Sequence, residues 1–235
     1  LPVSAEEMHE RGWWWYDALV VGGDAYVDHP SFGTAVISRV LEAEGLRVAV
    51  LAQPDWHDAE AFRAMGRPRL GVFIGAGNLD SMVAHYTAAK RRRSEDFYSP
   101  GKRSGCRPDR AAIVYCNRAR EAFGPDVPII LGSLEASLRR FAHYDYWDDS
   151  VRRAILFDAP ADLLVYGMGE AATIEIAHRL KKKQSVRTMT DIPGTGYITR
   201  DPSVCKFDHI TLPSFEDVRD DKRLYAEATR TEYAE

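Results

Sequence analysis

The sequence predicts an α/β domain in which a mostly parallel sheet carries helices on both faces, followed by a C-terminal extension. Short apolar stretches recur along the chain, and three of them end in glycine, at Gly22, Gly75 and Gly132. Between them, apolar residues return with the period of an amphipathic helix. Continuously apolar strands are typical of a parallel sheet covered on both faces. We therefore expect a Rossmann-like fold, in which ligands bind at the carboxyl ends of the strands.

Strands and helices alternate along residues 1–185, which we predict to form the N-terminal domain. The first strand, residues 16–22, leads through a loop into a helix that ends at Gly45, a typical residue after a helix C-cap. Further strands are predicted at residues 47–51, 69–75, 128–131 and 162–166, and helices at residues 58–65, 109–123 and 169–183 and after Leu134 and Ser150.

Residues 186–235 form the predicted extension. Residues 195–199 and 203–207 have the pattern of edge strands, and residues 216–235 have helical propensity but few apolar residues. Because so polar a helix is stable only when something packs on it, we expect a poorly packed connector that leads toward a further domain.

Composition excludes several classes of protein. A net charge of −4 gives no general attraction to nucleic acid or anionic membrane, and no run approaches the ~18 apolar residues of a membrane helix. The three cysteines, Cys106, Cys116 and Cys205, have spacings that match no disulfide framework, zinc site or cluster motif. A reducing cytoplasm is therefore the expected location.

Polar and glycine residues follow four predicted strands, where a doubly wound sheet binds its ligand. The candidates for this edge are Asp28, His29, Ser31, Gly75, Gly77, Asn78, Gly132, Ser133, Gly167, Gly169 and Glu170. The imidazole of His29 could ligate a metal, act as a base or donate a hydrogen bond. Alternatively, Pro30 and Gly33 shape a plain turn in which Asp28 caps the next helix.

The turn at residues 75–80 could bring backbone N–H groups to a phosphate or carboxylate. Its Gly-x-Gly spacing is weak as a signal, because Asp80 stands where the dinucleotide motif needs glycine, and no P-loop sequence is present. Residues 143–149 combine aromatics with carboxylates, so Asp145, Asp148, Asp149 and His143 could hold a cation. We favour a capped helix end there, with the aromatics docking it and the following arginines pairing with the acids.

Residues 90–110 form a long polar segment in which eight basic and three acidic residues leave a local charge of +5. A loop of this length in a compact domain is typically functional or disordered. We expect it to be mobile and to contact an anionic partner or a further domain, and a plain solvated loop is the alternative. The anion-binding candidates are Arg91, Arg92, Arg93, Lys102 and Arg103.

Several motifs together resemble the N-terminal region of the YgiQ family of radical SAM proteins. They are Gly-Asp-Ala-Tyr-Val-Asp-His-Pro-Ser-Phe-Gly (23–33), Ala-Gly-Asn-Leu-Asp-Ser-Met-Val (76–83), Leu-Gly-Ser-Leu-Glu-Ala-Ser-Leu-Arg-Arg (131–140), His-Tyr-Asp-Tyr-Trp (143–147) and Leu-Leu-Val-Tyr-Gly-Met-Gly-Glu (163–170). The resemblance covers nearly the whole chain in order. One departure is Ser133, where the family usually has a second glycine.

The resemblance implies a longer protein whose downstream barrel holds a 4Fe-4S cluster on Cys-x-x-x-Cys-x-x-Cys and binds S-adenosylmethionine. This chain lacks that motif. We therefore expect no cofactor, catalytic residue or metal ligand on it, and an accessory role in shaping or covering the barrel's active site and contacting its substrate.

The pattern of strands and glycines is also similar to the cobalamin-binding domain that precedes many radical SAM barrels. That domain carries Asp-x-His-x-x-Gly, whereas Asp28 and His29 are adjacent here and Gly33 falls one residue late. The offset argues against cobalt ligation by His29. Base-on cobalamin, a nucleotide, or an anion or RNA bound by residues 90–110 remain the alternatives.

Overall fold

The computed structural model describes residues 1–234, which fold into eight strands and nine α-helices. The strands are β1 (Ala18–Gly22), β2 (Val48–Ala52), β3 (Gly71–Gly75), β4 (Ile129–Gly132), β5 (His143–Asp145), β6 (Ser150–Arg152), β7 (Leu163–Val165) and β8 (Thr195–Gly196). The helices are α1 (Ala5–Glu10), α2 (Gly33–Ala43), α3 (Glu60–Arg63), α4 (Ser81–His85), α5 (Ala111–Phe123), α6 (Ser133–Leu138), α7 (Glu170–Lys181), α8 (Phe215–Asp220) and α9 (Lys222–Ala234).

The main sheet has the strand order β2-β1-β3-β4-β7-β8. The first five strands are parallel and β8 runs antiparallel to β7. Because β2 lies on one side of β1 and β3 on the other, the direction of winding reverses between β1 and β3, which is the position where doubly wound sheets bind ligands. The predicted Rossmann-like α/β fold is confirmed.

Each face of the sheet has its own apolar core, because successive side chains of a strand point to opposite faces. Leu19 and Val21 of β1 pack with α1, α3 and α5, and Tyr115 and Phe62 are buried in that layer. Val20 of β1 packs in the second layer, which is formed largely by α2 and α7.

Two predicted elements of the C-terminal half are wrong. Ser150–Arg152 is a strand, paired as a hairpin with His143–Asp145, and not a helix. Residues 203–207 are not an edge strand, because Pro202–Val204 is a 3₁₀ turn in which the Asp201 carboxylate accepts from the Ser203 N–H at 3.0 Å.

The helix predicted over residues 216–235 is two helices, since the extended backbone of Asp221 (φ −126°, ψ 111°) separates α8 from α9. Val218 of α8 is buried, whereas α9 buries no residue among those described. That residues 216–235 form a poorly packed connector stays a prediction, which fast amide exchange would support. Glu235 lies outside the described residues. Within residues 1–234, no helix is long and apolar enough to cross a membrane.

Candidate functional site

A cleft of about 240 Å³ opens at the carboxyl edge of the sheet. Its floor is apolar and comes from four adjacent strands, through Val20, Phe73, Ile130 and Val165. Its walls are residues of α2 and α7, including Thr34, Ile37 and Thr173. The cleft therefore lies between the sheet and two helices, beside the point where the winding reverses.

The residues around the mouth of the cleft are mostly those that follow the strands. Eight of the eleven candidates for the ligand edge line it, namely Gly75, Gly77, Asn78, Gly132, Ser133, Gly167, Gly169 and Glu170. Ser133 takes the left-handed conformation with φ +74°, which explains why a glycine suits this position. Its Oγ accepts from the Ala76 N–H at 3.1 Å, so the serine ties β4 to the turn after β3.

Asp28, His29 and Ser31 are not among the residues that line the cleft. They lie in the loop after β1, at the predicted edge of the sheet, and their part in a ligand site stays a prediction. Asp28 is exposed and pairs with Arg39 of α2. The exposed His29 turns its Nδ1 back to accept from the Ser31 N–H at 3.1 Å. These local contacts hold the loop's polar tip in solvent, and the backbone of Pro30 and Gly33 reaches the cleft instead.

Asn78 joins the loops after β1 and β3. Its side chain donates from Nδ2 to the Ser31 carbonyl at 2.9 Å and accepts from the Gly33 N–H at 3.3 Å. Its own N–H donates to Oδ2 of Asp24 at 2.7 Å. Three hydrogen bonds of one residue thus hold the loops after β1 and β3 together at the mouth of the cleft.

A buried cluster of charged side chains lies beneath these two loops. Arg107 is fully buried; it donates through Nε and Nη2 to Asp96, at 3.0 and 3.1 Å, and its Nη1 is 2.9 Å from Asp24 Oδ1. Burial raises the pKa of Asp24, and Arg107 opposes that rise. No sequence pattern indicated this cluster, because Arg107 lies among the charges of a segment expected to be mobile.

Backbone packing at the same place requires glycine. A Cβ on Gly23 would overlap the carbonyl oxygen of Ala76. Gly77 has φ +113°, and a Cβ there would overlap the Asp24 carboxylate. The glycines after β1 and β3 therefore bring two loops together around the ion cluster.

Glu135 on α6 is another buried carboxylate, and it accepts hydrogen bonds from the starts of two helices. Its Oε2 accepts from the Ser81 N–H at 2.8 Å and its Oε1 from the Ala112 N–H at 3.0 Å. Those N–H groups are at the start of α4 and α5, where no intrahelical acceptor exists. Burial raises the pKa of Glu135. The side chain does not line the cleft, and its two hydrogen bonds show that it holds local structure.

Two helix N-termini reach the mouth of the cleft. Their N-cap residues, Phe32 of α2 and Gly169 of α7, provide no side-chain cap, although Asn78 accepts from the Gly33 N–H at the start of α2. Free N–H groups at a helix start attract anionic or carbonyl oxygens. The arrangement suits a ligand with an apolar part for the floor and acceptor oxygens for the mouth.

Four exposed apolar side chains lie on the segments that follow β4 and β7, and no sequence pattern indicated them. We define Leu134, Leu138, Phe141 and Met168 as the apolar rim, of which Met168 lines the cleft. Met168 is 87% exposed. The Arg140 guanidinium bridges the segment after α6 to the loop after β7, because it lies over the rings of both Phe141 and Tyr166.

Residues 143–149 form a hairpin and not the capped helix end that we favoured. Asp145 accepts from the N–H groups of Trp147 and Asp148, and it pairs with Arg110 at 2.9 Å. Asp148 pairs with Arg110 and, as the sequence suggested, with Arg152. These carboxylates are already neutralised by arginines, which leaves them poorly suited to a cation.

The chain's cysteines do not fit the cluster that the radical SAM resemblance implies. Cys116 is buried completely, and burial raises the pKa of its thiol. Within residues 1–234, no group of three or more His, Cys, Asp or Glu side chains is placed to hold a metal. That the isolated chain is colourless stays a prediction, which iron and sulfide assays would check.

The fold and cleft define a doubly wound α/β domain with a ligand-sized site at its carboxyl edge. The chain belongs to the Radical SAM N-terminal family, which it matches over residues 1–235. It is 54% identical to a UPF0313 protein of Clostridium botulinum (strain 657 / Type Ba4) and 52% identical to one of Clostridium perfringens (strain SM101 / Type A). Both alignments cover the whole chain but only 36% and 35% of those relatives.

Among solved structures, the chain is similar to TsrM from Kitasatospora setae, a radical S-adenosylmethionine methyltransferase with cobalamin and a [4Fe-4S] cluster bound. The TM-score is 0.49 at 20% identity, over 78% of this chain and 27% of TsrM. The chain thus spans about a third of the length of its curated relatives.

Proposed function

We propose that this chain is the accessory N-terminal domain of a longer radical SAM protein and that its carboxyl edge faces the downstream barrel. In this role the domain shapes or covers the barrel's active site and contributes contacts to a substrate. The 4Fe-4S cluster and S-adenosylmethionine belong to the barrel, since the cysteines of this chain do not form a cluster site.

The observation that carries the proposal is the apolar rim beside the cleft. Four of the five methionines, Met8, Met65, Met82 and Met189, are 6% exposed or less, whereas Met168 is 87% exposed at the cleft mouth. Exposed apolar groups gathered beside a pocket mark interaction sites. Covering this rim would also close the cleft from one side.

Methionine oxidation tests the proposal directly, because peroxide converts only accessible methionine to its sulfoxide. In the 235-residue chain, Met168 should oxidise at nearly the rate of free methionine. In the longer protein that carries this domain, its oxidation should be several-fold slower. Mass spectrometry of the peptide around Met168 gives both rates.

Trp14 provides the matched control, since it is 79% exposed and precedes β1 at the opposite edge of the sheet. Hydroxyl-radical labelling should modify Trp14 equally in both proteins. Equal oxidation of Met168 in the two proteins would show that the downstream part does not cover this edge, and the proposal would be wrong.

A second candidate function is binding of a small molecule in the cleft, such as base-on cobalamin or a nucleotide. The observation that favours it is the combination of an apolar floor with two helix N-termini whose N-cap residues provide no side-chain cap. His29 lends no support to cobalt ligation, because it does not line the cleft.

Visible spectra and equilibrium dialysis with hydroxocobalamin, and dialysis with ATP, test this candidate. Gly33→Leu is the informative variant, because a Cβ at Gly33 meets no atom within 4 Å and a longer side chain can fill the mouth without a clash. Genuine binding in the cleft should be lost in Gly33→Leu and kept in Gly33→Ala. Binding that survives both substitutions would place the ligand elsewhere.

A further inference from the structure

The basic segment has a defined path along the carboxyl edge. We define the basic segment as residues 86–105, in which Tyr86 bridges to Arg92 and Glu95 to Arg103. The Ala25 N–H, after β1, donates to the Tyr98 carbonyl at 2.8 Å. Gln53, after β2, donates to the Ser99 hydroxyl at 2.7 Å. These bonds fix the segment against the ends of two strands.

The outer surface of the basic segment carries cations without carboxylate partners. Six exposed cations belong to it, namely Lys90, Arg91, Arg92, Arg93, Lys102 and Arg103. In the part of the chain that the structure describes, none of the six forms a salt bridge, although arginines elsewhere, such as Arg39 and Arg179, pair with two carboxylates each. The segment exposes one acid, Glu95, so an excess of five positive charges faces solvent.

Exposed aromatic rings accompany these cations. Phe97 is 72% exposed, with the Lys102 ammonium 4.9 Å from its ring centre. Tyr146, on the neighbouring hairpin, is 46% exposed, with the Lys90 ammonium 4.8 Å from its ring centre. A ring as exposed as Phe97 adds little to the stability of the fold, so it is available for a partner.

We propose that this surface binds single-stranded nucleic acid. Guanidinium and ammonium groups neutralise phosphates, and exposed rings stack on unpaired bases. A duplex would leave the rings without a partner, because its bases are already stacked. An acidic protein surface would use the cations but has no equivalent use for Phe97. The basic segment lies at the same edge of the sheet that is proposed to face the barrel, but the nucleic-acid proposal rests on the exposed cations and Phe97, and the barrel-facing role rests on the apolar rim.

Fluorescence anisotropy with the longer, complete protein tests the proposal. The probes are a labelled 12-nucleotide RNA of mixed sequence, the DNA of the same sequence, and the RNA annealed to its complement. Unlabelled polyglutamate serves as a competitor that has charge but no bases. The single strands should bind most tightly. A plot of log K against log salt concentration should have a slope of about −0.7 for each phosphate that the protein contacts.

The main variant is the triple change Arg91→Ala, Arg92→Ala and Arg103→Ala. Arg93 is kept because its Nε donates to the carbonyls of Val83 and Tyr86, both at 3.2 Å. Lys102 is kept because its ammonium lies 4.9 Å from the centre of the Phe97 ring, so replacing it would also change the surroundings of that ring. Loss of three phosphate contacts should weaken binding at least about tenfold in low salt and make the salt slope shallower by roughly two units.

The matched control changes Lys181, Lys182 and Arg187 to alanine. These three residues are exposed and carry the same total charge, but they lie at and beyond the C-terminal end of α7, at the opposite edge of the sheet. Binding by the control should equal that of the unchanged protein. Equal losses in the two variants would show that only net charge matters, and the proposed surface would be wrong.

Phe97→Ala separates base stacking from charge. We expect it to weaken single-strand binding about tenfold, with an unchanged salt slope, and we expect Phe97→Trp to retain binding. Equal binding of DNA would keep the proposal and exclude a role for the 2′-hydroxyl. Equal or tighter binding of the duplex, full competition by polyglutamate, or an inert Phe97→Ala would overturn it.

Discussion

Residues 90–107 contain two kinds of arginine, and their difference explains how this edge of the domain works. On the inner side, Arg107 is fully buried between Asp24 and Asp96 and holds three loops together. On the outer side, Arg91, Arg92 and Arg103 are exposed and form no salt bridge within residues 1–234. The inner arginine is part of the fold, while the outer ones are free to contact a partner.

The comparison also shows what local composition leaves undetermined. All four arginines lie in a Gly-, Pro- and Ser-rich stretch with the same local charge. Arg107 differs because it is buried between Asp96 of the same stretch and Asp24, which follows β1 and is distant in sequence. The sequence alone therefore does not distinguish a solvated loop from a buried ion cluster, because the distant carboxylate of Asp24 meets Arg107 only in the folded structure.

Arg107→Met should destabilise the domain more than any other single substitution at this edge. Removing the guanidinium leaves two buried carboxylates without a counter-charge, and breaking such a cluster costs about 3–5 kcal/mol. Urea unfolding followed by circular dichroism measures the loss. Arg103→Met, at an exposed position of the same segment, is the control and should change stability by less than about 0.5 kcal/mol. Similar values for the two would remove the distinction between inner and outer arginines.

Gly23→Ala should have the next largest effect, because the inner network needs close backbone contact. The new Cβ would overlap the Ala76 carbonyl, and relieving the overlap must move the loops that hold Asp24 and Asn78. Overpacking of this kind costs about 1–3 kcal/mol. Thermal unfolding of both variants measures the effect. Gly33→Ala is the control and should be nearly neutral, because a Cβ there meets nothing within 4 Å. A neutral Gly23→Ala would mean that the two loops are not rigidly packed.

Asp109, at the boundary of the basic segment and α5, should give a smaller, pH-dependent effect. Burial opposes its ionisation, but hydrogen bonds from His85 and Tyr86 outweigh burial and hold the pKa of Asp109 below its usual 3.8. A carboxyl whose pKa is lowered in the folded state adds stability above its unfolded pKa and loses it as pH falls through the folded value. Asp109→Asn should thus be less stable than the parent at pH 7, and the gap should close below about pH 4. A gap independent of pH would assign the effect to packing alone.

The main sheet could be predicted because its strands are buried on both faces and therefore read as continuous apolar runs. The cleft followed from the sheet, since the carboxyl ends of parallel strands share one edge, and eight of eleven candidates line it. His29 could not be placed, because the direction of its loop depends on Arg39 and Asn78. The β5–β6 hairpin was missed because each of its strands has three residues, too few for a periodic pattern.

The outer arginines should have the smallest effect on stability, which is what distinguishes a binding surface from a structural one. Exposed cations without carboxylate partners repel one another weakly, so removing Arg91, Arg92 and Arg103 should change the free energy of unfolding by no more than about 0.5 kcal/mol. At low ionic strength, removing the three arginines should stabilise the domain slightly. The difference should vanish near 1 M salt, where the Debye length is about 3 Å. Differential scanning calorimetry at low ionic strength and at 1 M salt measures the change in stability under each condition. A destabilisation that persists in high salt would show that these side chains support the fold, and the contrast with Arg107 would no longer hold.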